Sequence, residues 1–476
     1  MAADARGDRV VSDLHWLGAG ALRSLYDSRA VSPVEVVKAL LGRIARLNPT
    51  LDVFIQLDAQ AALDAAAVAE QELAAGRTRG PLHGVPVGIK DIIDVAGLRT
   101  TCHSKILAGG EAATADAQVV GRLRAAGAIV MGKLSTHEFA LGGPCFDLPF
   151  PPARNPWNRD HHPGGSSSGS GAGLAAGLFP LALGTDTGGS VRNPASACGI
   201  SGLKPTYGLV SRRGVFPLSY TLDHVGPMAR NAADAALLLE AIAGYDPADP
   251  GSAPATRLRF TEGIGRGVQG LRVGFVRHFH ETDMEADPDV AAGLQDVARL
   301  LEAEGAQVRT VTLPTLTAFN AVNRVILASE AWSVHALWLR TRPGDYAQAT
   351  RQRLMAGAFM TAGDYVAAQR ERLKLIAAVD KQFRDVDVLL TASSLDPACR
   401  IDDWKAVTRT YSRQARMPFN VTGHPAISLM SGLSRGGLPL SAQIVGRAHA
   451  DALVLQVADA VERAAGWVER RPPIDD

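Results

Sequence analysis

Gly164-Gly-Ser-Ser-Ser-Gly-Ser-Gly-Ala172 and, after an apolar run, Gly184-Thr-Asp-Thr-Gly-Gly-Ser-Val-Arg-Asn-Pro194 form the stretch on which the reading of this chain turns. Composition alone makes residues 164–173 a flexible Gly/Ser linker. A linker, however, is not followed at once by Leu174-Ala-Ala-Gly-Leu-Phe-Pro-Leu-Ala-Leu183, a run that belongs in a protein interior. The two hydroxyl-rich loops are therefore tied to buried structure, which suits an active-site scaffold.

Immediately upstream, residues 142–163 carry six prolines and little periodicity, so a long loop leads into the stretch. Further back, Ala115–Ala126 with Val119, Val120 and Leu123 predicts a helix followed by a strand at Ala128–Met131, and Val85-Pro-Val-Gly-Ile-Lys90 predicts a short buried strand. Ser32-Pro-Val-Glu35 is a capping box with Pro at the first helical position, and its helix is expected to end at Asn48-Pro49. The Ala-rich segment 58–75 predicts another helix. Downstream, Asn231 caps a helix through Ala243. Leu271–Val276, Asp287–Glu304 and Val308–Leu313 read as strand, amphipathic helix and strand, one βαβ-like unit. Residues 317–383 are mostly helical, three strands follow at 386–390, 425–430 and 438–445, and a helix at 451–465 closes the pattern. Alternation of helix and strand makes the fold α/β, with a helical N-terminal region at about 12–78 and an inserted α/β lobe at about 255–385.

Bulk properties exclude several functions. The 476 residues are 46% hydrophobic and 20% charged with a net charge of +1, so no broad basic face points to nucleic acid. The first ten residues hold four charges and no apolar run, and no stretch approaches 18 uncharged apolar residues, so neither export nor membrane anchoring is expected. Cys102, Cys145, Cys198 and Cys399 match no zinc or redox spacing and are expected to be free thiols in a cytoplasmic protein. His161-His162 lacks a third ligand at metal spacing, and Gly169-Ser-Gly-Ala-Gly lacks the lysine of a phosphate loop, so neither metal nor cofactor is expected.

Three serine chemistries compete for the central stretch. Gly165-Ser-Ser167-Ser-Gly169 satisfies Gly-x-Ser-x-Gly, but a nucleophile elbow needs a strand before it, and turn-formers stand there. Ser201-Gly-Leu-Lys204 satisfies Ser-x-x-Lys without the Lys-Thr-Gly partner that chemistry uses. The third chemistry takes Ser190 as nucleophile, because the preceding glycine pair lets the N–H groups of Thr187, Gly188, Gly189 and Ser190 converge as an oxyanion hole. No histidine stands at a motif position, so a lysine is the leading base, and Lys90 ends an apolar run whose burial favours the neutral amine. Position alone leaves open an ion pair of Lys90 with Asp91.

Gly164–Ala172, Gly184–Pro194 and Cys198-Gly-Ile-Ser-Gly-Leu-Lys-Pro-Thr-Tyr-Gly208 together resemble the amidase signature family at its own spacing. Leu82–Asp91, Arg154-Asn-Pro-Trp157, Leu222-Asp223 with Gly226-Pro227, and Phe419-Asn420 with Gly423-His-Pro-Ala426 extend the resemblance over nearly the whole chain. It implies a single amidase domain over residues 1–476 with a mixed central β-sheet flanked by helices on both faces. It also implies a Ser-cisSer-Lys triad: Ser190 as nucleophile, Ser166 as bridging serine on a cis peptide after Gly165, and Lys90 as base. Ser167, Ser168, Thr185 and Asp186 would support them, and Arg192 would be a structural or substrate-facing cation. Ser168 stands where many members have Gly, and His103 follows Cys102 where Gly is usual.

The expected function is a cofactor-free amidase that hydrolyses an aryl or alkyl carboxamide through a Ser190 acyl-enzyme, with esters and urethanase-like carbamate cleavage left open. Phe146, Phe150, Trp157, Tyr220, Phe319, Phe359, Met360, Trp404 and Tyr411 are candidates for an apolar pocket. The expected partner is a small amide or carbamate, with no nucleic acid and no membrane, and a homodimer left open. The alternative is the glutamine-hydrolysing subunit of a tRNA-dependent amidotransferase.

Overall fold

The computed structural model describes residues 13–254 and 259–474; the first ten residues, on which the expectation of no leader rests, and 255–258, where the inserted lobe is expected to begin, lie outside them. Among the described residues an 11-stranded sheet organises the molecule. Its strands are β1 (Phe54–Leu57), β2 (Pro86–Lys90), β3 (Ile129–Leu134), β4 (Leu181–Asp186), β5 (Ser201–Lys204), β6 (His224–Ala229), β7 (Arg272–Phe275), β8 (Gln307–Thr310), β9 (Val388–Ala392), β10 (Ala426–Leu433) and β11 (Pro439–Gly446). Their order is β1-β3-β2-β4-β6-β5-β10-β11-β9-β7-β8. Pairing is parallel for β3-β2-β4 and for β9-β7-β8, and antiparallel elsewhere, so the sheet is mixed. Every residue of β2, β3, β4, β5, β6, β9 and β11 is buried, which requires cover on both faces, and helices supply it. The strands of the 255–385 segment, β7 and β8, continue this same sheet beside β9.

Local chemistry sets the elements that carry the site. The Ser32 capping box starts the helix Pro33–Leu51, which runs past Pro49 and stops where Asp52 turns left-handed. Pro49 is tolerated near that end, and Asn48 Oδ1 accepts the N–H groups of Val53 and Phe54 at 2.9 Å, turning the chain into β1. The Gly/Ser stretch is only partly loop: Ser168–Ala175 is a helix, wholly buried. Its small residues allow close packing on every side, since a Cβ on Gly169 would lie 2.6 Å from the Val53 carbonyl and one on Gly173 2.2 Å from the Phe179 ring. β4 lies in the apolar run after this helix, and β5 and β6 are polar-bearing strands without period-two alternation, because both of their faces are covered. Ser201 on β5, the serine of the Ser-x-x-Lys match, bonds to Glu462, while Lys204 Nζ donates to the Pro205 carbonyl at 2.9 Å. That match is therefore structural. No helix among the described residues is long and apolar enough to cross a membrane.

Gly132 in β3 has φ +145°, and a Cβ there would sit 2.2 Å from the Gln56 carbonyl. Gly121, inside the helix Gln118–Ala125, has nothing within 4 Å. Gly132→Ala is expected to destabilise the fold by about 2–4 kcal/mol through backbone strain and overpacking, whereas Gly121→Ala is expected to stabilise it by roughly 0.5–1 kcal/mol. Paired thermal melts read the opposite signs.

Candidate active site

Lys90 is the last residue of β2, and the parallel pairing of β2 with β4 sets its side chain beside Thr185. Lys90 Nζ donates to Ser166 Oγ and to Thr185 Oγ1, both at 2.7 Å. The lysine is completely buried, and burial pulls its pKa from 10.5 down to about 7, against the opposing pull of Asp186 and Asp223. Asp91 does not pair with it. The Asp91 carboxylate instead meets Lys133 Nζ at 3.1 Å and the hydroxyl of Thr101, so the neighbouring acid is occupied elsewhere.

Two loops converge on this lysine. In the first, the Gly165–Ser166 peptide is cis, as the resemblance implies. The Ser166 carbonyl accepts from the N–H groups of His137 at 3.1 Å and Ser168 at 2.8 Å. Ser167 Oγ donates to the Thr185 carbonyl at 3.3 Å and accepts the Thr185 N–H at 3.2 Å, fastening the loop to β4. Ser167 N–H donates to the Ser190 carbonyl at 3.2 Å, which ties the first loop to the second.

The second loop is built around Asp186. Its carboxylate accepts from Gly189 N–H at 2.8 Å, Val191 N–H at 3.1 Å, Arg192 Nη2 at 2.8 Å and Asn420 Nδ2 at 2.8 Å. Burial works to raise this carboxyl, and Arg192 with Asn420 more than reverses it, holding the group well below its usual range. Arg192 is fully buried and also bonds to Gln443 Oε1 at 2.7 Å, Asn420 Oδ1 at 2.7 Å and the Arg416 carbonyl at 2.8 Å. All of these partners are buried protein groups, which holds Arg192 as a structural cation. The Gly189 N–H, one of the four donors expected from sequence, is likewise taken up by Asp186. Thr187 Oγ1 donates to Asp223 Oδ1 at 2.6 Å, pinning the start of the loop.

Ser190 is half-buried and lines a cavity of about 700 Å³ together with Ser166, Thr187 and Gly188. The aromatic candidates scatter: of the nine apolar residues named from sequence, only Met360 and Tyr411 reach this cavity. Phe319 is core, Phe146, Phe359 and Trp404 are exposed, and Trp157 Nε1 donates to the Cys198 carbonyl at 2.8 Å. His162 is buried, and its Nδ1 accepts the Gly164 N–H at 3.0 Å. Arg324, Arg353, Lys405, Arg409 and Arg416 line the cavity and escaped sequence reasoning, because they come from separate segments without a motif. Among the described residues, no cluster of three or more His, Cys, Asp or Glu side chains is placed to hold a metal ion.

Comparison with known proteins bears on this geometry. A curated relative from Chloroflexus aggregans, named as one of the subunits of Glutamyl-tRNA(Gln) amidotransferase, is 37% identical over 491 residues, covering 98% of this chain and 99% of that protein. A solved structure described as a vestigial protein complex revealing the evolutionary origins of an s-triazine catabolic enzyme superposes with a TM-score of 0.89 at 31% identity, over 94% of this chain and 99% of that one. The peptide amidase from Stenotrophomonas maltophilia superposes at 0.82 and 30% identity, over 96% and 98%. The relative's name overturns the expectation of a small-molecule partner with no nucleic acid, because it describes one component of an enzyme defined by a tRNA. The Amidase family model matches residues 35–455, and with these likenesses it follows that the chain belongs to the amidase signature family.

Proposed function

We propose that this protein cleaves a carboxamide through an acyl-enzyme on Ser190, with Ser166 passing the proton and Lys90 accepting it. The observation that carries the reading is the 2.7 Å contact between Lys90 Nζ and Ser166 Oγ, made by a lysine whose burial brings its pKa to about 7. When the amine is neutral, that contact runs from the Ser166 hydroxyl to the lysine lone pair, and Thr185 Oγ1 accepts an N–H. Ser190 Oγ attacks the amide carbon and gives its proton to Ser166 as Ser166 gives its own to Lys90. The N–H groups of Thr187, Gly188 and Ser190 face the negative charge on the former carbonyl oxygen. The relay then runs backward: the leaving nitrogen takes the proton and the C–N bond breaks. Water, deprotonated by the same relay, attacks the acyl-enzyme and releases the acid.

The curated relative supports glutamine as the amide donor and work within an amidotransferase of several chains. On that reading the ammonia released at Ser190 is passed on to a tRNA-borne acceptor. A second reading, hydrolysis of a different carboxamide, draws on the peptide amidase likeness and on a cavity wall that holds five cations and no Asp or Glu. The aryl-amide preference keeps little basis, since Tyr411 alone of the aromatic candidates reaches the cavity. A cytoplasmic location goes with either reading, on the four unpaired cysteines.

Three outcomes are expected. Ser190→Ala lowers amide turnover by on the order of 10⁴-fold or more while leaving the thermal melt unchanged, and a fluorophosphonate adduct maps to Ser190; an adduct on Ser167 instead would sink the assignment. The kcat/KM profile rises as pH passes upward through about 7, because Lys90 must lose its proton before it can accept another. A flat profile across that pKa would remove the lysine base. Glutamine turnover that appears only when the remaining chains of a bacterial Glutamyl-tRNA(Gln) amidotransferase are added would establish the assembly reading, and efficient turnover of another primary amide by the chain alone would establish the second.

A further inference from the structure

The wall of the Ser190 cavity is chemically one-sided. Arg324, Arg353, Lys405, Arg409 and Arg416 line it, and no Asp or Glu does. Among the described residues none of these five takes part in a salt bridge. Arg353 donates only to the Gly142 carbonyl, at 2.9 Å, and lies over the Tyr411 ring at 5.0 Å. Lys405 and Arg409 stand one turn apart on the helix Trp404–Thr410.

Arg416 is the most telling. Its side chain is 2% exposed, its Nη1 donates to Ser394 Oγ at 2.6 Å, and its buried Nε has no hydrogen-bond partner. The nearby Asp186 carboxylate is held by Arg192 and Asn420. Asn193, 6% exposed, also lines the cavity and leaves its buried Nδ2 without a partner. A buried donor left unpaired costs about 1–3 kcal/mol, more when charged, so Arg416 and Asn193 keep spare hydrogen-bonding capacity beside the cavity that both residues line. Arg416 packs on Gly189, the residue before Ser190, where a Cβ would meet Nε at 2.6 Å. Arg416 therefore stands beside the backbone that carries Ser190.

We infer that the substrate is a short amide carrying a carboxylate and no ammonium group, with Arg416 and Asn193 as the subsite for the carboxylate and the outer cations drawing it in. Guanidinium reads a carboxylate with directed, charge-assisted bonds, which fixes the amide relative to Ser190. An ammonium placed in the same cavity meets five cations and no acid on the wall, while Asp186 behind it is already held by Arg192, so exclusion is built in by repulsion. This rests on amide hydrolysis at Ser190 and favours the second reading above, because glutamine carries both charges.

The test separates binding from turnover. Calorimetry on the Ser190→Ala protein with succinamate, glutaramate, butyramide and glutamine reads the subsite whether or not the native enzyme cleaves them. Binding of succinamate or glutaramate at least about tenfold tighter than butyramide and glutamine is expected, weakening as salt is raised. Arg416→Gln is expected to remove most of that preference. Because Arg416 is packed in the core, Arg409→Gln on the exposed helix provides a second variant, with a smaller loss of about two- to threefold in the affinity for the acidic amides. Equal binding of butyramide, or tighter binding of glutamine, would overturn the inference. Native-enzyme turnover of butyramide in that event would leave the Ser190 reading standing, and tight binding of the acidic amides without turnover of any amide would sink the Ser190 reading while keeping the subsite.

Discussion

The Asp186 carboxylate, buried against Arg192, is the interaction on which the site depends. One side chain at the end of β4 gathers the backbone of Gly189 and Val191, the Arg192 guanidinium and the Asn420 amide. Through Arg192 the same cluster reaches Gln443 on β11 and the carbonyl of Arg416. Such a pair is costly to assemble, since both charges leave water, and removing one partner would leave a bare charge inside, at about 3–5 kcal/mol. Its return is geometric: the Thr187–Ser190 turn cannot relax without breaking several charge-assisted bonds at once. The position of Ser190 is thus set by a carboxylate that lies outside the lining of the cavity.

Lys90 obeys the opposite logic. Asp186 binds its cation tightly and stays charged, whereas Lys90 is buried with hydroxyls as its bonded neighbours, so desolvation dominates and the amine lies near neutrality at about 7. Lys133 makes the comparison sharp. It sits on the adjacent β3, is buried to the same degree, and meets Asp91 at 3.1 Å. By taking up that acid, Lys133 leaves Lys90 without a contacting carboxylate. The sheet therefore holds two buried lysines in neighbouring strands, one paired and one positioned to carry a proton.

Much of this was legible because the relevant residues lie in short, contiguous runs. Strands β2 and β3, the helix after Ser32 and the helix after Asn231 carry their own capping and apolar signals, and the structure places them within a few residues of expectation. Strands β5 and β6 were not visible, because burial on both faces erases alternation and their polar residues are satisfied by distant partners such as Glu462 and Asp186. The extended Gly/Ser loop was half right. Its glycines serve a packed helix rather than freedom of the chain, and only the neighbouring backbone at Val53 and Ser135 reveals that. Within the site, the structure brings the motif residues Lys90, Ser166 and Thr185 into contact, and the bond from the Gly189 N–H to Asp186 was not legible, since no sequence pattern says which acceptor a backbone donor takes.

The cationic cavity shows why whole-chain charge was a poor guide. A net charge of +1 excludes a basic face, yet it averages over ion pairs that cancel within themselves, such as Arg212 with Asp249, Arg272 with Asp387 and Arg413 with Asp396. What a ligand meets is set within about one Debye length, roughly 8 Å at physiological salt. Inside that radius Asp186 is already held by Arg192 and Asn420, no Asp or Glu lines the wall at Ser190, and five cations from the segments 324, 353, 405–409 and 416 line it without ion-pair partners among the described residues. Those segments belong to loops and helices that contribute no strand to the sheet, whereas Ser166, Ser190 and Lys90 stand at strand ends or in the loops fastened to them. On the proposed reading the chemistry and the choice of substrate are therefore carried by different parts of the fold, and a change in the second leaves the first in place.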